Sequence, residues 1–298
     1  MLKADDRKLI ERGLEVADLK MYQEDKIWSR YSNDKVDIGE ELAGVIRTLF
    51  KAEPLSKKLR CLSIGSSDEP QFRILETAFR GGLYLLDIDS DALGLIRERV
   101  IRQRTDHVYT LRRDYKKNFL NEERTKDLLR GSLHGKRTDL VTMHHSLYYC
   151  DEKDWGDIAV NLYRHILARR GAMHFVLMAA NSDVRESTSW LYEHFVGKYF
   201  GLKNHQSLRQ FAKDLGGNRI FANARIKLRT NKVYFYVDDF EKFMAVVWMI
   251  MLYPDVHSYT LAQKEEITEY VYKRIWKKKR PLVQFQDHLA VFRGVVPG

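Results

Sequence analysis

Leu59-Arg60-Cys61-Leu62-Ser63-Ile64-Gly65-Ser66-Ser67-Asp68-Glu69, with Leu83-Tyr84-Leu85-Leu86-Asp87 following it, is the stretch that decides the fold. Each run is short, almost unbroken in its apolar residues, and closed by glycine, serine or aspartate. Strands buried on both faces read this way, and they occur in parallel sheets covered by helices on either side. Two parallel strands cannot be joined by a tight turn, so a crossover must lie between them. The spacing over 71–80 predicts that crossover as a helix.

Outward from this unit the alternation continues. A helix is expected over 91–102 with Leu93, Ile96, Val100 and Ile101 facing inward, then a strand over 107–111, a helix over 121–130 and a strand over 139–143. Residues 155–168 supply a further helix through Ile158, Leu162, Ile166 and Leu167, and 172–178 a fifth strand. After Asn181 the alternation stops. Helices are expected over 187–199 and 207–215, strand character at Ile226, Leu228, Val233, Phe235 and Val237, helices over 241–252 and 261–276, and a closing antiparallel strand over 288–292. Toward the amino terminus, Ile38, Leu42, Val45, Ile46, Leu49 and Phe50 recur at three- and four-residue steps on one face of a helix that Pro54 ends. A weaker helical pattern covers 9–21, and a polar stretch 29–35. The expectation is an α/β protein with a mostly parallel, Rossmann-like sheet and a final antiparallel strand. It divides into a helical cap (1–54), a core (55–181) and a substrate-binding or lid segment that carries the closing strands (182–298).

Composition narrows the class. The chain has 298 residues, 44% of them hydrophobic, which is ample for a buried core. No window reaches the roughly 18 to 20 apolar residues of a membrane helix, and 243–253 reads as a buried helix. The charged start, Met1-Leu2-Lys3-Ala4-Asp5-Asp6-Arg7-Lys8, lacks the features of an export signal, so a cytoplasmic location is expected. Two cysteines, Cys61 and Cys150, are too few for a disulfide scaffold, and no His-x-x-x-His or Cys-x-x-Cys pair suggests a metal. A net charge of +10 admits an acidic partner such as nucleic acid, although the run Lys277-Lys278-Lys279-Arg280 reads more simply as a solvated helix end.

Ligands of doubly wound sheets bind at the carboxyl edge of the strands, where the strand order reverses. Four groups fall there. Gly65 and the small residues Ser66 and Ser67 let backbone approach a ligand at the start of a helix. Asp87 ends the second strand about twenty residues on, where a carboxylate accepts hydrogen bonds from ribose hydroxyls; helix capping is the other reading, with Asp89, Ser90 and Asp91 as rival caps. Asp114 follows the third strand, and His144-His145-Ser146-Leu147-Tyr148-Tyr149 follows the fourth.

In order and spacing, Leu62-Ser63-Ile64-Gly65-Ser66-Ser67-Asp68-Glu69, Leu85-Leu86-Asp87-Ile88-Asp89, Arg113-Asp114 and Asp139-Leu140-Val141-Thr142-Met143-His144-His145-Ser146-Leu147-Tyr148-Tyr149 resemble the successive motifs of class I methyltransferases that use S-adenosyl-L-methionine (SAM). The match covers about 59–180. Within that family the chain looks most like the histamine N-methyltransferase group, through its helical amino-terminal segment, the Ser63-Ile64-Gly65 opening and Leu147-Tyr148-Tyr149. The resemblance implies SAM as cofactor, held by Ser63, Gly65, Ser66, Ser67, Asp87, Ile88, Asp114 and His144, with Gly65 and its serines at the methionine part, Asp87 at the ribose and Asp114 near the adenine. It implies that His145 faces the methyl-transfer site. The departure is that Ser67 and Glu69 stand where many relatives have glycine, which narrows the pocket.

Methyl transfer needs placement and exclusion of water rather than a covalent intermediate. His144 or His145 could take the proton of an amine acceptor, and Tyr148 with Tyr149 could wall the pocket beside a cationic donor. Tyr234, Phe235, Tyr236 and Trp248 read as core, with a substrate chamber as the alternative. A small-molecule acceptor methylated at nitrogen or oxygen is the leading expectation, with no membrane partner and no oligomeric state assigned. An RNA or protein methyltransferase and a non-catalytic methyltransferase-like binding module are the alternatives.

Overall fold

The computed structural model describes residues 4–19, 21–65, 71–252 and 258–295. Seven strands form one sheet in the order β3-β2-β1-β4-β5-β7-β6: β1 (Arg60–Ile64), β2 (Gly82–Asp87), β3 (Val108–Arg112), β4 (Thr138–His144), β5 (Leu167–Met178), β6 (Ala224–Phe235) and β7 (Leu282–Arg293). The pairs β1–β2, β2–β3, β1–β4 and β4–β5 are parallel. The sheet is mostly parallel with an antiparallel C-terminal strand, as expected for the Rossmann-like class. The helices are α1 (Ala4–Glu15), α2 (Met21–Tyr31), α3 (Asp34–Ala52), α4 (Phe72–Ala78), α5 (Ser90–Gln103), α6 (Tyr115–Phe119), α7 (Glu122–Arg130), α8 (Glu152–Asn161), α9 (Thr188–Phe200), α10 (Leu208–Gly217), α11 (Phe240–Leu252) and α12 (Leu261–Arg274).

The chain forms two compact units. One comprises Ile38–Leu177, Ser207–Arg229 and Asp287–Gly298. Its strands alternate between two cores. Leu62, Tyr84, Val141, Met173 and Leu289 pack with Phe119, Leu128, Trp155 and Phe211 on one face. Cys61, Leu83, Leu140, Ala172 and Ala290 pack with Leu42, Leu49, Leu75 and Leu93 on the other. Burial on both faces is why these strands carry unbroken apolar runs. At the amino edge charged groups close on one another: the Arg60 guanidinium donates to Leu133 O at 2.9 Å, while Asp139 accepts from the Arg60 N–H at 2.8 Å and from Lys57 Nζ at 2.6 Å.

The second unit comprises Met1–Asp37, Met178–Gln206 and Thr230–Gln286, and is largely helical. Trp248 Nε1 donates to Gly13 O at 3.1 Å, and Trp28 stacks on Phe235 at 5.7 Å, which in turn meets Phe243 at 5.7 Å. Asp37 is buried but satisfied, accepting from Asn231 Nδ2 at 2.7 Å and Gln286 Nε2 at 2.8 Å. Among the described residues no helix is long and apolar enough to cross a membrane.

Several details differ from expectation. Ile101 is 74% and Phe50 41% exposed, although both were assigned to inward faces. At 100° per residue Ile101 lies about 80° from Leu93, and Phe50 about 120° from Ile38, outside the stripes centred on Leu93 and Leu42. The helix expected over 155–168 ends earlier: a wide turn at Leu162–Ile166 releases the chain into β5, which pairs from Thr138↔Leu167 across an irregularity before Leu140↔Ala172. The polar stretch 29–35 is mostly helical, as the end of α2 and the start of α3. Helix α6 was not anticipated. Along the chain at the end of β6 the aromatic residues alternate, Phe235 being core while Tyr234 and Tyr236 are 46% and 43% exposed, and Trp248 of α11 is also core.

One buried group should leave a signature in stability. Burial alone raises the Glu24 carboxyl from 4.5 to about 7. Its folded form therefore prefers the proton that the unfolded form has already released above the ordinary carboxylate range. The resulting stability is fully present below about pH 4.5 and is lost as the pH rises toward 7. Glu24→Gln should accordingly raise the unfolding free energy by on the order of 3 kcal/mol at pH 8 and change it little at pH 4.5. Denaturant melts at the two pH values check this; equal effects at both would refute it.

Candidate functional site

Strand β1 pairs with β2 on one side and β4 on the other, so the order reverses at β1/β4 and a crevice is expected at the carboxyl edge there. Gly65 leaves β1 at φ +69°, and its N–H donates to Leu86 O at 2.9 Å. A Cβ at this position would lie 2.4 Å from Ser146 Cβ. Only glycine satisfies both the left-handed backbone and this close approach. Ser66 and Ser67, expected beside it, lie outside the described residues.

Ser146 joins the edges. It is 3% exposed, and its Oγ has no hydrogen-bond partner among the described residues. A buried hydroxyl left unpaired is costly, and a ligand donor or acceptor would relieve that cost. Its carbonyl accepts from Tyr115 Oη at 2.9 Å. Burial, then the nearby Cys150 and Asp114, raise the Tyr115 pKa, so the phenol remains a donor. Tyr115 opens α6 directly after Asp114, and this contact ties the β3 edge to the β1/β4 edge. Neither Ser146 nor Tyr115 was singled out from sequence. The capping pattern Asp114-Tyr115-Lys116-Lys117 could have revealed the short helix that positions Tyr115.

Asp87 is 8% exposed at the end of β2, where Arg113 N–H donates to its carbonyl at 2.8 Å and Asp89 N–H to its Oδ1 at 2.9 Å. The cap of α5 is Asp89, whose carboxylate accepts from the N–H groups of Asp91 and Ala92, so Asp87 is not needed for that purpose. Asp114 does act as a cap, accepting from Lys116 and Lys117 N–H groups at the start of α6. Ile88, between Asp87 and Asp89, is 66% exposed at the same edge. Ser63 is set back within the sheet, where its Oγ accepts from Thr142 Oγ1 at 2.9 Å.

The two adjacent histidines diverge. His144 completes β4 on the sheet face of Ser63, and its Nε2 lies 3.0 Å from His174 Nδ1; His174 then stacks on His288 at 5.8 Å. Burial, with His144 and His288 as neighbours, holds His174 well below the usual imidazole range, so it remains neutral. His145 turns to φ +51°, a strained conformation for a non-glycine residue, with its N–H on Val176 O at 2.8 Å and its ring stacked on Tyr148 at 6.0 Å. Tyr149 points outward at 45% exposure. Cys150, in the same loop, has its thiol pushed up to about 11 by burial, with Asp154 adding to the effect, so no thiolate nucleophile arises there.

No protein-family model and no curated protein matches the sequence. Solved structures do match the fold. The plantazolicin methyltransferase BamL, determined with a triazolic desmethyl-plantazolicin analogue and S-adenosylhomocysteine, covers 98% of this chain and 99% of its own, at 11% identity and a TM-score of 0.51. The YcgJ protein of Bacillus subtilis covers 84% of this chain and 98% of its own at 9% identity and 0.51. A candidate methyltransferase of Bacillus halodurans C-125 covers 83% and 98% at 13% identity and 0.50. These likenesses do not single out the histamine N-methyltransferase group. The chain has the Rossmann-like fold of the class I SAM-dependent methyltransferases.

Proposed function

We propose that the chain is a SAM-dependent methyltransferase acting on a nitrogen or oxygen of a small molecule. The observation that carries this reading is the packing of Gly65 on Ser146 at the switch point, which leaves a glycine cradle beside a buried hydroxyl that has no partner among the described residues. Those features fit the cofactor, as does an Asp87 relieved of capping by Asp89. BamL, with a similar fold, is in complex with S-adenosylhomocysteine and a triazolic desmethyl-plantazolicin analogue, which supports extending that chemistry to this chain.

When bound, SAM supplies an electrophilic methyl on a sulfonium. The chain's part is binding, orientation and proton handling. Gly65 admits backbone contact with the methionine part, and the Ser146 hydroxyl gains its missing partner there. Asp87 accepts from the ribose hydroxyls, while Asp114, Ile88 and the neighbouring backbone border the adenine. His145, braced by Tyr148, takes the proton of a protonated or hydroxyl acceptor, and the contact of His144 with the neutral His174 positions the end of β4. Ser63 supports this edge from within the sheet. The helical cap of residues 1–54 and the segment 182–298 belong to the proposal as acceptor-binding parts.

The nucleic-acid reading loses some of its charge support. Lys277 pairs with Asp6 at 3.3 Å, and Arg280 with Glu186 at 3.1 Å.

Calorimetric titration with SAM and S-adenosylhomocysteine, with NAD as control, tests the cofactor. Micromolar binding is expected in the wild type and at least a tenfold loss in Asp87→Ala; absence of binding in the wild type would overturn the enzyme reading. Gly65→Ala should lose SAM affinity tenfold or more and destabilise the protein by about 1–3 kcal/mol, read by titration and thermal melting. Ser146→Ala separates binding from folding: removing an unpaired buried hydroxyl should leave the free protein as stable or up to about 1 kcal/mol more so, yet weaken SAM binding. A destabilised Ser146→Ala with unchanged affinity would show that the hydroxyl serves the fold instead.

A further inference from the structure

The amino edge of the sheet, at the opposite end of the strands from Gly65, carries a group of guanidiniums. Arg137 stands immediately before β4, Arg169 lies near the start of β5, and Arg293 ends β7. The wide turn at Leu162–Ile166 gathers two of them. Tyr163 O accepts from Arg293 Nη1 at 2.5 Å, and Leu167 O accepts both from Arg293 Nη1 at 3.3 Å and from Arg137 Nη1 at 3.0 Å. Two positive charges thus share one carbonyl oxygen. The Arg293 guanidinium also lies over the Tyr163 ring, 4.7 Å from its centroid, which fixes its plane.

Guanidiniums held this close repel one another, and a carboxylate among them is the ordinary remedy. Among the described residues none is supplied. Arg137, Arg169 and Arg293 form no ion pair, and the Arg169 side chain forms no hydrogen bond. The acid bordering the turn, Glu122, is paired with Lys126 at 2.8 Å and with His165 at 3.2 Å. The repulsion registers at Arg137, whose guanidinium is lowered from its ordinary value by burial and then by Arg293 and Arg169.

This geometry selects a chemistry. Arg137 and Arg293 each spend one nitrogen on the backbone, which anchors their planar forks, and their other N–H groups have no acceptor among the described residues. Arg137 and Arg169 are exposed and Arg293 half-buried, so these donors are open to a ligand from solvent. Stapling the turn accounts for Arg137 and Arg293 but not for Arg169, which holds nothing in the described chain and adds repulsion. A dianionic phosphate answers all three: its oxygens accept from several guanidiniums at once, and its charge offsets more of theirs than a carboxylate's does.

We propose that Arg137, Arg169 and Arg293 bind the phosphate group of a small molecule, as a phosphomonoester or as the free ion, at the edge of the sheet opposite the candidate methyl-transfer site. The proposal stands independently of the transferase reading.

The test titrates inorganic phosphate and phenyl phosphate calorimetrically into wild type and Arg169→Gln at pH 8 in about 150 mM chloride, with acetate as a monovalent control and a single-stranded RNA oligonucleotide as a polyanion. At least one of the two phosphates should bind the wild type and bind Arg169→Gln roughly tenfold or more weakly, while acetate binds neither protein. Tighter binding of phenyl phosphate identifies a monoester as the ligand, and equal or tighter binding of inorganic phosphate the free ion. On the wild-type protein, the nitrogen-15 NMR signals of the Arg137 and Arg293 Nε–H groups should move as the tighter ligand is added. No binding of either phosphate by the wild type, equal binding by both proteins, unmoved arginine signals, or tighter binding of acetate or RNA than of the phosphates overturns the proposal.

Discussion

The arrangement at the carboxyl edge depends on one steric fact: the turns that leave β1 and β4 approach so closely at Gly65 and Ser146 that a single added methyl group would collide. Because β1 and β4 are neighbours and β1 also pairs with β2, this approach occurs where the winding of the sheet changes direction. The Ser146 carbonyl extends the contact to Tyr115 and thereby to the end of β3. Three strand ends separated by some eighty residues of sequence are thus held in register by one glycine, one serine and one phenol. Asp114 caps the helix that Tyr115 opens, and Asp87 ends β2, paired with Arg112 at the end of β3.

Polar groups inside the protein show two strategies. On one sheet face Ser63 meets Thr142, and His144 meets His174, which stacks on His288, so that polar residues in β1, β4, β5 and β7 meet one another within an otherwise apolar layer. Such internal pairing rigidifies the layer. Ser146 Oγ and the Glu24 carboxyl follow the opposite course, buried without a hydrogen-bond partner among the described residues. Asp37 and Asp139, by contrast, each accept two hydrogen bonds.

The sheet was legible because parallel strands buried on both faces must be apolar at successive positions, and 60–64, 82–87, 138–144 and 172–178 are close to that pattern. Boundaries failed where tertiary context outweighed periodicity: the wide turn at Leu162–Ile166 keeps helical spacing while changing the hydrogen bonding, and Leu167 then enters β5. At the edge, Gly65, Asp87 and the His144–Tyr149 cluster were recognisable because chemistry recurs there at strand-to-helix joints. Whether Asp87 or Asp89 capped α5 could not be decided from spacing, since either carboxylate could reach the first turn; the backbone settles it for Asp89. Ser146 was quoted but not weighed, because its significance lies in what packs against it and not in its neighbours along the chain. Glu24 was visible as an acid at the 24–28–31 helical spacing, but nothing in the pattern tells a buried face from a solvated one when the face contains a charge.

The placement of β7 has a consequence for how the protein is made. It lies between β5 and β6 in the sheet, yet it follows both in sequence. While the chain emerges from the ribosome, β5 presents a bare row of amide and carbonyl groups until residues 282–293 have been synthesised. A long, apolar, unpaired edge of this kind is a template for association with other nascent chains. Interrupted synthesis would thus yield a sticky product rather than a shortened working one, and production of this protein should depend on chaperone capacity more steeply than its finished stability would suggest.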